Sequence, residues 1–296
     1  MTALVQIFLM MLLYILFLSV DMRGIGRSFT NIRFTTAALS LNFVITPVLA
    51  FVLGTVFFSG SVDLRIGLIM LLVTPCTDWY LVFTKITGGN VELGMSILPL
   101  NLVLQIVLLP VYLTVFVGGD ATMDVQSLLM DMVAVLAIPF VAAMVTRAVT
   151  KDRPTFSGFM DSHGDDLQLL FLCLAVVPMF ASEGDTLLAH PDLLLEMFVP
   201  LLLFFIILFL TSQAVGRAMG FLYADRVALT FTSMARNSPL SLAVAVTTFP
   251  DQPLVALALV IGPLIELPVL ALASWALRRF WGGRGGAEAT VRHRAV

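Results

Sequence analysis

Residues 75–78 read Pro-Cys-Thr-Asp in the middle of an apolar run, LIMLLVTPCTDWYLVFTKITGGN at 68–90. A helix breaker, a thiol and a carboxylate stand where the neighbours are oil-like. Two other apolar runs carry ionisable residues far from any loop: Arg236 in SMARNSP and Glu266 in GPLIELP. An isolated charge at the centre of a bilayer costs about 2.5–3.5 kcal/mol on insertion scales, so such residues gather around cavities or pair with one another. Counted along their runs, Asp78, Arg236 and Glu266 share one depth, roughly 18–20 Å from one end. Pairing Arg236 with one or both carboxylates would reduce the cost and build a common polar cavity.

Each residue also has a plainer reading. Asp78 and Arg236 can form a structural ion pair that fixes two crossing helices. Cys76 taken alone is either a functional thiol or a small buried apolar side chain. Glu266 is the second carboxylate of the set and leaves it with one negative charge, which marks a proton or cation carrier. Asn42, Asn101, Gln105 and Asn237 can serve as interhelical glue; Asn101 and Asn237 flank the polar interruptions and are the stronger cavity candidates. Together with Thr77, these make Cys76, Thr77, Asp78, Arg236, Asn237 and Asn101 the candidate substrate-binding residues, with Glu266 and Asp78 as candidates for proton coupling. Pro75, Pro239 and Pro263 are the expected helix breaks, because proline removes a main-chain hydrogen bond. Freed main-chain groups at membrane depth are tolerated where they line a cavity or are buried in protein.

The elements that must position these residues follow from composition. The 296-residue chain is 59% hydrophobic and 12% charged, about half the charged fraction of a soluble domain. Apolar runs long enough to cross a bilayer recur along its whole length. They predict an all-α polytopic membrane protein with about nine transmembrane helices, at about 3–20, 34–57, 66–84, 93–117, 126–146, 166–182, 193–216, 227–249 and 254–277. The first run has no basic leader and no small-residue cleavage site, so it reads as a transmembrane helix and not as a signal peptide.

Sorting cations by alternate loops tests that count. One side collects Arg23, Arg27, Arg33, Lys85, Arg147, Lys151, Arg153, Arg217, Arg226 and the basic tail; the other holds Arg65 among many acids. Positive residues stay inside, so the N-terminus is expected outside and the C-terminus in the cytoplasm, in the plasma or inner membrane. The transporter domain is expected over 1–281, with a Gly-rich tail at 282–296 read as disordered. The third and eighth runs each carry a polar interruption and are each followed by a proline-bearing helix. That offset of five spans predicts inverted repeats, about 1–117 and 126–281, as in many secondary transporters.

Other function classes fit poorly. The two cysteines, Cys76 and Cys173, have no paired metal-ligand spacing, and the three histidines lie at run ends or in the tail. No H-E-x-x-H helix or phosphate-binding loop is present, so neither an enzyme nor an ATP-driven pump is expected. No cofactor, resident metal or nucleic-acid partner is expected.

Several segments resemble the arsenite efflux permeases, a branch of the bile acid/sodium symporter superfamily. VIGPLIELPVLALASWALRR is similar to that group's last helix, FTSMARNSPLSLAVAV to its second broken helix, and TPCTDWYLVFTKITGGN with PLNLVLQIVLLPVYLTVF to its first broken helix and the span after it. FTNIRFTTAALSLNFVITPVLAFVLG resembles the early part of the family. The resemblance implies ten helices in two inverted repeats, with two discontinuous helices crossing at the site; this chain would lack the first helix. It further implies that Cys76 and Glu266 are functional, the thiol meeting a soft trivalent metalloid. In sodium-coupled relatives a Glu and a Gln near the second break hold sodium. The matching positions here are Thr232 and Arg236, so a guanidinium would replace the cation, and a proton is the more fitting coupling ion. The chain departs from the permease pattern at RNSP, where Asn-Asn and a later Glu are usual, and at Asp78. It therefore resembles a divergent member, exporting arsenite or antimonite by proton antiport. The alternative is an ion-coupled organic anion carrier in which Arg236 meets the substrate carboxylate.

Overall fold

The computed structural model of the chain describes residues 2–19, 30–77, 79–117, 125–150 and 192–293, with scattered residues between 158 and 177. The expected span at 166–182 lies largely outside the described residues, as does Asp78. The helices are α1 (Thr2–Ser19), α2 (Ile32–Phe57), α3 (Val62–Val73), α4 (Trp79–Ile86), α5 (Val91–Val117), α6 (Val125–Thr150), α7 (Asp192–Ala218), α8 (Tyr223–Met234), α9 (Ser238–Thr248) and α10 (Pro253–His293). Among the described residues four of them, α2, α5, α7 and α10, contain apolar stretches long enough to cross a membrane. Exposed Val48, Val56, Val107, Val115 and Leu195 on α2, α5 and α7 are what lipid-facing helices present. The chain is an all-helical, multi-pass membrane protein.

The short helices sit at the centre. In α3 every residue from Ile66 to Val73 is buried, and in α8 every residue from Val227 to Met234. A helix buried on all faces belongs to the core. Helix α3 packs tightly on α10 through glycine: a Cβ on Gly67 would lie 2.6 Å from Ala258 Cβ and 2.9 Å from Val255 O, and one on Gly262 would lie 2.6 Å from Leu71 Cδ2. We therefore expect Gly67→Ala to lower stability by about 1–3 kcal/mol, the usual cost of overpacking. Gly60→Ala, with nothing within 4 Å of its Cβ, is the control; thermal unfolding in detergent should separate the two.

The two interruptions have different local causes. Helix α3 ends because Pro75 disfavours helical geometry in the residue before it, and Thr74 is extended at φ −104° and ψ 104°. Helix α8 ends at Ala235, extended at φ −71° and ψ 139°, without a proline at the break. Asn237 then caps α9, its Oδ1 accepting from Leu240 N at 3.2 Å. Pro239 lies in the first turn of α9, where its missing N–H has no helical acceptor to lose. The expected break at Pro239 is thus the start of a half-helix, and the break itself lies at 235–237.

Two further expectations change. Pro263 does not break its helix, since α10 runs through Pro263 and Pro268; one missing main-chain bond is tolerated where a helix is held by packing on both sides. The α10 backbone also continues through 282–293, where a disordered tail was expected. Glycine weakens a helix by about 1 kcal/mol relative to alanine but does not forbid it.

Candidate functional site

The two breaks meet. Cys76 N donates to Ala235 O at 3.0 Å and Asn237 N donates to Thr74 O at 2.8 Å, which makes Pro75 and Arg236 opposite partners in an antiparallel bridge. Main chain freed by each interruption is satisfied by the other. Side chains reinforce the crossing: Thr74 Oγ1 and Ser241 Oγ are 2.7 Å apart, and Ser241 Oγ donates to Met70 O at 2.9 Å. Cys76 is 4% exposed and Thr77 is buried beside it.

Arg236 does not have the role its charge suggests. Its Nη1 donates to Leu72 O at 2.9 Å, its Nε to Met234 O at 3.1 Å, and its Nη2 to Ser233 O. Those carbonyls close α3 and α8, and the last four carbonyls of any helix lack helical donors. One planar guanidinium with five N–H groups thus caps two half-helix C-termini, the ends that carry partial negative charge. Its face lies 5.5 Å from the Phe204 ring centroid, and the residue is 2% exposed. Glu266 instead receives the Arg236 main-chain N–H, at 2.9 Å on Oε1. Of the expected pairing of Arg236 with carboxylates, the Asp78 half lies outside the described residues; among the described residues Glu266 meets the Arg236 backbone, and the guanidinium meets carbonyls.

The remaining candidates divide. Asn101 lies to one side of the crossing, its Nδ2 donating to Thr232 Oγ1 at 3.3 Å and its Oδ1 accepting from Asn42 Nδ2 at 3.4 Å. Asn237 Nδ2 and Ser238 Oγ are buried with no hydrogen-bond partner among the described residues. They stand at the N-terminal end of α9, where main-chain N–H groups and the helix dipole favour a ligand oxygen. Pro75 is buried within the first break. Cys173, in contrast, is exposed. Ser238 and Thr46 escaped sequence reasoning, which read Gln105 only as glue. The available signal was the four-residue spacing of Asn42 with Thr46 and of Asn101 with Gln105, which puts each pair on one helix face. Among the described residues no group of three His, Cys, Asp or Glu side chains could hold a metal.

This geometry, two broken helices tied back to back around buried polar side chains, is shared by ion-coupled carriers. Residues 6–190 match the Sodium Bile acid symporter family. The chain belongs to that family. It is a secondary transporter and not an enzyme. Among individual relatives, it is 28% identical over 246 residues to the arsenical-resistance protein Acr3 of Corynebacterium glutamicum, covering 79% of this chain and 66% of that protein. The chain therefore spans about two thirds of that relative's length. It is 28% identical over 245 residues to the uncharacterized protein YbaS of Bacillus subtilis, covering 82% of this chain and 78% of that one. The arsenical-resistance protein Acr3 of Alkaliphilus metalliredigens is 23% identical over 284 residues, covering 90% and 78%. The family name itself joins sodium to bile acids, so membership leaves both cargo and coupling ion to the residues of this chain.

Proposed function

We propose that this symporter-family chain exports a trivalent metalloid, arsenite or antimonite, across the plasma or inner membrane in exchange for protons. The observation that carries the reading is the buried Cys76 thiol at the point where the two breaks pair. Trivalent arsenic and antimony are soft and bind thiolate sulfur. A single thiol can hold and release them, whereas a three-thiol cage would retain them. The similarity to two arsenical-resistance proteins supports the same cargo.

Glu266 is the proposed proton carrier. Its carboxylate hangs on the Arg236 N–H immediately beside the crossing, so its charge state and the local geometry are linked. Glu266→Gln keeps the hydrogen-bond acceptor and removes the titration; it should abolish accumulation driven by a proton gradient while leaving the protein folded. Downhill exchange of loaded metalloid, measured without a gradient, should survive. Equal loss of both activities would assign Glu266 to binding instead.

Arg236 supports the choice of proton over sodium, because a guanidinium already sits on carbonyls of the kind that coordinate cations in broken-helix carriers. The same observation weighs against the organic anion alternative, since each nitrogen of that guanidinium donates to a main-chain carbonyl. The back-to-back pairing of the breaks supports two inverted repeats, with the N-terminus outside and the C-terminus in the cytoplasm as the loop charges require. Asp78, outside the described residues, remains a proposed second coupling carboxylate. Thr77, Asn101 and Asn237 are proposed as polar contacts of the cargo.

The deciding test is arsenite uptake into everted membrane vesicles under an imposed proton gradient. Proton-driven accumulation supports metalloid export. No accumulation by well-inserted protein removes arsenite as cargo.

A further inference from the structure

Past Ser274, helix α10 carries Trp275, Arg278, Arg279, Phe280 and Trp281. Trp275 and Phe280 are 61% and 63% exposed, and both arginines are exposed beside them. The rings form a chain, Trp275 to Phe280 and Phe280 to Trp281 each at 6.0 Å between centroids. Trp281 reaches across to α7, where the Phe209 ring lies at 6.3 Å and the guanidinium carbon of exposed Arg217 stands 5.1 Å from the indole centroid. Arg278 is three residues before Trp281 and so shares its helix face. The arginines thus belong to one surface built from the ends of two helices.

Charge on that surface is one-sided. Arg226 at the start of α8 and Arg278 both lie within electrostatic reach of the Tyr223 hydroxyl. The acid of that turn, Asp225, accepts Asn90 Nδ2 at 2.8 Å. Onward in the sequence come Arg284, Arg292 and Arg294 with Glu288, so the stretch 278–294 holds five arginines and one acid. A cation over a ring is held by the ring's electrostatic face. The N–H groups of a guanidinium lie in its plane, a fork that fits two phosphate oxygens.

Depth points to the same partner. Glu266 lies at the crossing, on the Arg236 N–H, and α10 runs unbroken from there to the arginines. Trp275 is about 14 Å and Arg278 about 18 Å further along at 1.5 Å per residue. Half of a hydrocarbon core is about 15 Å. With the crossing at the bilayer centre, the rings meet the edge of the acyl chains, where indole is favoured, and the guanidinium groups reach the phosphates. A zwitterionic headgroup brings its own cation to such a surface; a headgroup with net negative charge does not.

We infer that the ends of α7 and α10 form a docking surface for an anionic phospholipid. Arg217, Arg278 and Arg279 take its headgroup, and Trp275 and Phe280 lie along its acyl chains. Clustered arginines at the end of a membrane helix attract anionic lipid in this way. Such binding is independent of what the chain carries.

Trp275 and Trp281 can report on this surface directly, because the chain has three tryptophans and the other, Trp79, can be replaced by Phe. Full-length Trp79→Phe protein is placed in vesicles of phosphatidylcholine and phosphatidylglycerol, one lipid or the other carrying brominated chains that quench indole on contact. Quenching then gives the affinity for phosphatidylglycerol relative to phosphatidylcholine. A ratio of about 5 or more is expected at low salt, the scale of one arginine near an anionic surface, and it should fall in about 1 M salt. Replacing Arg278→Gln and Arg279→Gln together should bring the ratio close to unity, and Arg217→Gln should lower it. The exposed α10 pair carries the test if Arg217→Gln does not fold. Arg147→Gln changes a cation on α6, which packs on α1, α5 and α9, and should leave the ratio unchanged. The inference is overturned if the ratio is near unity before any arginine is changed, or if it survives loss of Arg278 and Arg279. It is also overturned if Arg147→Gln lowers the ratio equally, which would make net charge its source. Abolition by inorganic phosphate at matched ionic strength would overturn it too, since the arginines would then hold a free anion.

Discussion

Cys76→Ala should reduce arsenite accumulation in everted vesicles by about 100-fold or more, equivalent to about 3 kcal/mol of lost interaction. The expectation rests on a separation of roles at the first break. The Cys76 N–H holds the crossing through Ala235 O, and that bond belongs to the main chain. Alanine keeps it, so the variant should insert, fold and unfold thermally much as wild type does. What it loses is the Cys76 thiol. Cys76→Ser is the sharper comparison, because a hydroxyl is nearly the same size but a hard ligand; it should transport no better than alanine. Full activity in either variant would remove the thiol from the pathway.

Arg236→Gln should have the largest effect on stability. The guanidinium satisfies Leu72 O, Ser233 O and Met234 O, and glutamine has one amide nitrogen with two hydrogens and a shorter reach. Each buried carbonyl left without a donor costs about 1–3 kcal/mol. A loss on the order of 3–5 kcal/mol follows, the scale for removing one member of a buried charged network. Arg236→Lys retains the charge as a point donor that lacks the planar fork, so it should fall between. Unfolding midpoints of the three proteins in one detergent give the order. If Arg236→Gln were as stable as wild type yet inactive, the guanidinium would belong to the substrate and the organic anion reading would return.

The apolar runs and the two polar interruptions are legible in the sequence because hydropathy and proline act locally. The first break follows from Pro75 alone. The second was attributed to Pro239, four residues after Ala235, because proline is the visible breaker; the structure uses Asn237 as a cap and places Pro239 in the turn it tolerates. Pro263 looked equivalent to Pro75 but lies inside a helix pressed against α3, and packing decides that difference. Arg236 was assigned to carboxylates because charge-pairing rules compare side chains. Its partners among the described residues are main-chain carbonyls of two helix ends from distant parts of the sequence, and no residue type announces them. Asn42 and Asn101 carried readable four-residue spacings to Thr46 and Gln105, but spacing does not say that Asn42 and Asn101 meet each other across two helices.

The crossing has a consequence for how such a carrier can change over generations. Its defining bonds, Cys76 N to Ala235 O and Asn237 N to Thr74 O, are made by atoms every residue but proline possesses. The side chain at 76 is thereby relieved of holding the scaffold and can be exchanged without unmaking it. A thiol at 76 suits one cargo; a hydroxyl in the same position would suit another. A lineage built on this joint can explore new cargoes by single substitutions while its architecture stays in place.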